Sequence, residues 1–388
     1  MPWGWGTATT SLFDYTPETL APFLQERGEP SYRARQVLAW AYRGAPAYEV
    51  MSNLPATLRS RLTEALPLWS ITARKQETSA DGATVKVVFR LPDGPLIEAV
   101  NMRHEAPSDA GTGPREPPST GPREHRTRTT ICVSSQAGCA YGCRFCATGQ
   151  QGYGRNLSAG EIVQQVIWWL RPDLQAGMPA LASAHRVTNV VFMGMGEPFA
   201  NYEATRYALW ALNAPWGLGL GARHITVSTV GLAPEIRRFA AEPLQVGLAV
   251  SLHAANDDLR SSLLPVNRKY PLGVLMPACR DYVAKTNRRI TFEYVLLGGV
   301  NDSRYHAREL GALLRGLLAH VNVIPVNPTD GGVFTRPEES QVRAFVQEVQ
   351  RSGVPVTLRD TQGVEIQAGC GQLRARETGR APVLGSVR

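Results

Sequence analysis

The chain has 388 residues, 43% of them hydrophobic and 19% charged, and a formal net charge of +8. This composition excludes a disordered chain, the lack of any run of about 18 apolar residues excludes a helical membrane span, and the opening MPWGWGTATTSLFDYTPE lacks the basic-then-apolar order of a secretory signal. A cytoplasmic protein with a sizeable core is expected, and its positive surplus suits an anionic partner such as nucleic acid as well as it suits plain solubility.

Residues 1–69 read as a small helical domain. LAPFLQERG, ARQVLAWAYRG and LPATLRSRLTEAL carry apolar positions at three-to-four spacing, with Gly or Pro at the boundaries. Over 70–104 the character changes: ATVKVVFRL and LIEAVNM are strand-like, and Asp93-Gly94 between them signals a turn. A β-hairpin is predicted there. Residues 105–128 are rich in Pro, Gly and charge, and GPRE occurs twice. Such a stretch buries too little apolar surface to order itself, so a flexible loop is expected. Its four arginines are matched by four acids, which weakens any reading as a basic RNA-binding arm.

From 129 to 375 the pattern alternates. TTICVSS, TNVVFMG, HITVST, VGLAVSLHA, ITFEYVLLGG, VNVIPVNP and PVTLRD read as strands. AGEIVQQVIWWL, NYEATRYALWALN, PLGVLMPACRDYVAKT, ARELGALLRGLLAH and PEESQVRAFVQEVQRSG read as helices between them. Repeated β–α units predict a parallel sheet, open or closed, with function at the C-terminal strand ends. Polar and Gly-rich residues fall there: Cys139, the turn Gly194-Met195-Gly196-Glu197-Pro198, Ser228, Ser251, His253 and Asn327. Residues 376–388 form a basic tail.

Cys139, Cys143 and Cys146 form a CxxxCxxC array in CAYGCRFC. Structural zinc wants four ligands, usually from two knuckles, and one loop here supplies three. A redox CxxC pair would use Cys143 and Cys146 and leave Cys139 idle. Three thiolates on a 4Fe–4S cluster leave one iron open for a cofactor. A zinc-bearing, non-catalytic RNA-binding protein stands as the rival from another class.

CxxxCxxC directly after a strand of a βα array resembles the signature of the radical S-adenosylmethionine (SAM) superfamily, and Met193 to Pro198 resemble its methionine-binding turn. CVSSQAGCAYGCRFCATGQQGYGRNL, FMGMGEPFANY, ITVSTVG, SLHA, LLGGVND, PVNPT, QAGCGQL and the N-terminal GEPSYRARQ narrow the likeness. The chain is similar, from about residue 12 to 375, to the RlmN/Cfr family of radical-SAM RNA adenosine methyltransferases, and closer to the RlmN branch. It departs in two places. The 105–128 loop is longer than the family's, and Gly369 stands where an alanine usually precedes the catalytic cysteine.

The resemblance implies an α/β fold, a partial (βα)6-type barrel with a helical N-terminal domain and β-hairpin. It implies methylation of adenine C2 in 23S rRNA and tRNA, or of C8 in rRNA on the Cfr side. Neither carbon is an ordinary nucleophile, so a polar attack on the SAM methyl group is poor chemistry and a radical route is expected. Two SAM molecules serve each turnover: one methylates Cys370, and the other, on a 4Fe–4S cluster held by Cys139, Cys143 and Cys146, yields the radical that activates that methyl. Glu98 matches the base that takes the ring proton, and Cys132 the cysteine that frees the product through a disulfide with Cys370. Gly196, Glu197, Ser228, Ser251, Leu252, His253 and Asn327 match the SAM contacts. An external one-electron reductant such as flavodoxin or ferredoxin, and a monomer, complete the expectation. Without the resemblance, Cys132 would read as a buried strand cysteine and Glu98 as a solvated strand carboxylate. Cys279 matches nothing and reads as helix packing.

Overall fold

The computed structural model describes residues 11–104, 128–177, 187–327, 329, 332–359 and 361–374. The expected 105–128 loop, apart from Arg128, and the 376–388 tail lie outside them.

Three helices open the chain: α1 (Pro17–Gln25), α2 (Arg33–Ala41) and α3 (Ala56–Ala65). α1 starts where the sequence dictates, because the Thr16 hydroxyl accepts the Thr19 N–H at 3.2 Å and Pro17 takes the first helical position. The apolar stripes of the three meet in one core through Leu20, Leu24, Val37, Leu38, Leu58 and Leu62, all buried.

A mixed sheet of ten strands follows, in the order β1-β2-β3-β4-β7-β8-β9-β10-β11-β12. β1 (Thr72–Thr78), β2 (Thr84–Arg90), β3 (Leu96–His104) and β4 (Arg128–Cys132) run antiparallel to one another. The expected hairpin is β2–β3. Its extra partner β1, TARKQET, was not legible because its apolar content is low. From β4 the sheet turns parallel through β7 (Asn189–Phe192), β8 (Ile225–Thr229), β9 (Gly247–Ser251), β10 (Ile290–Leu296), β11 (Ala319–Pro325) and β12 (Val356–Leu358). All seven sequence runs form strands of this arc. The apolar continuity of runs such as NVVF and GLAVS reflects cover on both faces.

The remaining helices are α4 (Ala147–Gln151), α5 (Ala159–Ile167), α6 (Pro172–Gly177), α7 (Tyr202–Asn213), α8 (Ala233–Phe239) and α9 (Asp257–Leu263), then α10 (Leu272–Thr286), α11 (Arg304–Leu314) and α12 (Glu339–Arg351). The helix expected through LLAH stops at Leu314, and Ala319 and His320 already belong to β11. The short helices α8 and α9 gave no periodic signal. A separate ribbon pairs β5 (Gln136–Gly138) with β6 (Tyr153–Asn156).

α5 is buried along its whole length, between the N-terminal helices and the sheet. Its Gln164 carboxamide accepts the N–H groups of Ser70 and Ile71, at 2.7 and 3.2 Å, and donates to the Ser11 and Ser70 hydroxyls. The Asp14 carboxylate accepts the Gly160 N–H at 2.7 Å. These bonds satisfy polar groups that burial would otherwise penalise, and they fix the helical domain to the core.

Candidate active site at the strand ends

The cysteine loop hangs between β5 and β6. The Cys139 N–H donates to the Gly152 carbonyl at 2.8 Å, closing the loop at its base. Gly138 is required there: its φ is +78°, and a Cβ would stand 2.0 Å from the Gly152 oxygen. At the far side the Cys146 N–H donates to the Cys143 carbonyl at 3.1 Å, and Cys146 caps α4.

Cys139, Cys143 and Cys146 all line one cavity at the strand ends. Burial pushes the Cys139 thiol up to about 12 and raises Cys143 and Cys146 as well, Cys143 further through the charges of its two partners. Only a strongly cationic ligand makes three such thiolates favourable together. Among the described residues, no three His, Cys, Asp or Glu side chains are arranged to hold a single metal ion. Three thiolates from one loop suit a multi-iron cluster, in which each would bind a different iron.

The turn after β7 lines the same cavity. The Met195 carbonyl accepts the Ser135 and Gln136 N–H groups at 2.8 and 3.2 Å, and the Gln136 side-chain carbonyl accepts the Glu197 N–H at 2.8 Å. Gly196, at φ +97°, leaves no room for a side chain, since a Cβ would lie 2.5 Å from that of Gln136. The Glu197 carboxylate accepts the Phe199 N–H at 3.0 Å and the Val230 N–H at 2.7 Å, so it fastens this turn to the end of β8. Burial nevertheless raises its pKa to about 7.

Ser228, Ser251 and His253 line the same cavity. Burial, and then the Arg260 charge, push His253 down to about 3. Its Nδ1 accepts the Val295 N–H at 2.9 Å, which leaves Nε2 carrying the proton of the neutral ring. Its φ of +60° is rare outside glycine. Leu252 does not join its neighbours: it is fully buried in the core, and its N–H donates to the Glu293 carbonyl. Strand alternation sends its side chain to the other face. Arg260, fully buried, donates to the carbonyls of Val230, Ser251 and Leu252 and so sets the β8 and β9 ends.

Cys370 lines the main cavity and also a second one, with Cys132, Met193, Arg359 and Gly369. Its segment is sewn across the strand ends. Asn327 Nδ2 donates to the Cys370 carbonyl at 3.2 Å, the Ala147 N–H to the Gly371 carbonyl at 2.7 Å, and the Thr148 hydroxyl to the Leu373 carbonyl at 2.6 Å. Asn327 Oδ1 is buried without a described partner. Gly369 is packed to the limit, with an added Cβ meeting Gln372, Thr361 and Asn327 atoms at 2.6–2.9 Å. Burial pushes Cys132 up to about 12, the nearby Cys370 adds to this, and Arg359 opposes it.

Glu98 lines neither cavity. The solvated-face reading is wrong, for it is buried, with Lys86 Nζ at 3.3 Å and the Arg374 N–H donating to Oε2 at 3.0 Å. Lys86 also pairs with Glu77 of β1 at 3.1 Å. Burial raises the Glu98 pKa and Lys86 lowers it.

Two cavity residues escaped the sequence reading. Glu293, on β10, is buried with Oε2 unpartnered among the described residues, while Oε1 accepts from Asn322 at 3.0 Å. An acid inside ITFEYVLL was the available signal. Arg359 stands directly after β12, at the strand end where function was expected. Cys279 is buried on α10 and absent from both cavities, as helix packing requires.

Known proteins match this arrangement. The model of the radical SAM superfamily matches residues 133–310, and that of the ribosomal RNA large subunit methyltransferase N-terminal domain matches residues 10–67. The "Probable dual-specificity RNA methyltransferase RlmN" of Roseiflexus castenholzii is 43% identical, over 94% of this chain and 95% of its own length. The protein of the same name from Chloroflexus aurantiacus is 46% identical, over 95% of this chain and 93% of its own. The chain belongs to the RlmN family of radical SAM RNA methyltransferases. A crystal structure of a radical SAM methyltransferase from Sphaerobacter thermophilus agrees in fold, with a TM-score of 0.84, 50% identity and coverage of 95% of this chain and 100% of that one. Membership brings a 4Fe–4S cluster and SAM as cofactors, and the three cysteines that line the cavity supply the donor set such a cluster needs.

Proposed function

We propose that the protein methylates C2 of an adenosine in 23S rRNA and of an adenosine in tRNA, with Cys370 as the methyl carrier. The observation that carries this reading is that Cys370 lines both the cavity with the three cysteines of the CxxxCxxC loop and the cavity with Cys132. Cys370 would take a methyl group from one SAM, its sulfur acting as the nucleophile. Cys139, Cys143 and Cys146 hold the cluster, which when bound supplies the electron that turns a second SAM into a hydrogen-abstracting radical. Gly196, Glu197, Ser228, Ser251, His253 and Asn327 orient that SAM, and Leu252 sets the backbone between its neighbours. The Cys370 methylene bridges enzyme and base, Glu98 takes the ring proton once the Arg374 N–H parts from it, and Cys132 attacks the Cys370 sulfur to free the product. The target base is flipped out of its stack to reach the cavity, while the N-terminal helices and the 376–388 tail grip the structured RNA.

We further propose a cytoplasmic monomer served by a one-electron donor of the flavodoxin or ferredoxin class. No helix among the described residues is long and apolar enough to cross a membrane. The deciding experiment is mass spectrometry of nucleosides after anaerobic reaction of rRNA and of tRNA with reductant and methyl-labelled SAM. Label in 2-methyladenosine from both RNAs supports the reading, and its absence from tRNA narrows it to rRNA. Label in 8-methyladenosine replaces it with the C8 reaction, and a colourless protein without turnover replaces it with the zinc-bearing binder.

A further inference from the structure

Cys132 is an awkward nucleophile where it stands. It is buried at the end of β4, and burial holds its thiol up near 12, so at neutral pH very little of it is the thiolate that exchange chemistry needs. The titratable and charged groups around it are few. His104 of β3 shares its cavity, and burial, then Arg128 and Arg359, lower that imidazole, leaving it neutral. Cys370, in the same cavity, offers Cys132 no cation. Arg359 is the remaining group. Its side chain lines both cavities, and its Nη1 stands 3.9 Å from the Met193 sulfur on the wall between them. Among the described residues no carboxylate lies within ion-pair distance of it, although Glu293 faces it from β10. Its guanidinium is held above its ordinary pKa first by Cys370, then by Glu293 and Cys132.

We propose that Arg359 is a positioning residue for the release step, in which its guanidinium stabilises the Cys132 thiolate that attacks the Cys370 sulfur. The inference rests on the methyl-carrier reading above. Methylation turns Cys370 into a neutral thioether, so the cation that faced both cysteines is left to Cys132 alone. In the step itself the Cys132 thiolate forms the S–S bond and the bond from the Cys370 sulfur to the methylene carbon breaks. The bonding pair stays with the base, whose carbon takes up a proton to become the methyl group. The disulfide is afterwards reduced by an external dithiol.

The test is site-resolved alkylation of the full-length, cluster-loaded, reduced protein by iodoacetamide, followed by peptide mass spectrometry across pH 7 to 10. Arg359→Gln is expected to slow Cys132 alkylation at pH 7.5 by roughly tenfold, the effect of losing one close charge. The deficit should hold near tenfold throughout that pH range, which lies below the thiol's pKa of about 12, and Arg359→Lys should restore most of the rate. A purely structural role has the opposite sign, since loosened packing would expose Cys132 and speed its alkylation. In turnover with RNA, Arg359→Gln should accumulate the protein–RNA crosslink on a denaturing gel. Unchanged or faster alkylation in Arg359→Gln overturns the inference whatever the substrate is. Methylation that survives Cys370→Ala overturns the carrier reading beneath it, and the two failures are separately visible.

Discussion

Glu98 in the antiparallel half of the sheet and Glu197 at the strand ends of the parallel half are both buried carboxylates, and their surroundings treat them differently. In the parallel half, Glu197 is held by two backbone N–H groups from two loops, at 3.0 and 2.7 Å. In the antiparallel half, Glu98 is held by the Lys86 ammonium at 3.3 Å and by one N–H from Arg374, in the segment that carries Cys370. Burial is the largest influence on both and raises both pKa values. Fixed peptide dipoles make Glu197 a fastener between rigid strand ends. The ion pair keeps Glu98 nearer a charged base, and its second bond can open only when the C-terminal segment shifts.

The contrast can be tested from its strongest consequence downward. Cys370→Ala should abolish RNA methylation, as loss of a covalent carrier does, while leaving thermal unfolding nearly unchanged because that side chain is only half-buried. Nucleoside mass spectrometry and calorimetry read the two effects. Glu98→Gln should cost about 10²–10⁴-fold in turnover, the usual worth of a positioned base, yet lower stability little, because Lys86 keeps Glu77 at 3.1 Å. A Glu98→Gln enzyme with normal turnover would place the base elsewhere.

Glu197→Gln should act on stability instead. An amide leaves one of the two N–H donors without an acceptor, a loss of about 1–3 kcal/mol. The pH signature is more specific. Glu197 has a folded pKa of about 7, above its ordinary 4.5, so the native state holds the extra proton. Its contribution is full below pH 4.5 and is lost as pH rises through 7, about 3 kcal/mol in all. Denaturant midpoints of the two proteins across pH 4.5–8 should show this slope in the parent and not in the variant. The smallest effect is expected of Gly369→Ala. A Cβ there meets Asn327 Nδ2 at 2.9 Å, so a shift of a few tenths of an ångström at Cys370 should slow methylation only several-fold.

Legibility followed the same division. Most of the parallel strands were readable because two-sided burial leaves near-continuous apolar runs such as NVVF and GLAVS. At the two edges, both partly exposed, β12 was readable from its β-branched and apolar VTL, whereas β1, TARKQET, offers a single apolar residue. The cysteine loop and the Gly196 turn were legible since their chemistry depends on spacing within one short segment. The burial of the Leu252 side chain was not legible from the motif it sits in, because strand alternation turns it into the core. Glu293 and Arg359 went unread because a single polar residue in a strand declares itself only when neighbouring strands place it against Asn322 or beside Cys132. The burial of Glu98 depends on Lys86 and Arg374, which no local pattern connects to it.

The stitching of residues 370–374 onto Ala147, Thr148, Asn327 and Glu98 has a consequence for the order in which the protein is made. Translation delivers the cysteine loop more than two hundred residues before Cys370, and all seven parallel strands before it as well. A nascent chain that ends before residue 370 lacks every one of these bonds, so the C-terminal side of the cavity is the last part of it that the ribosome supplies.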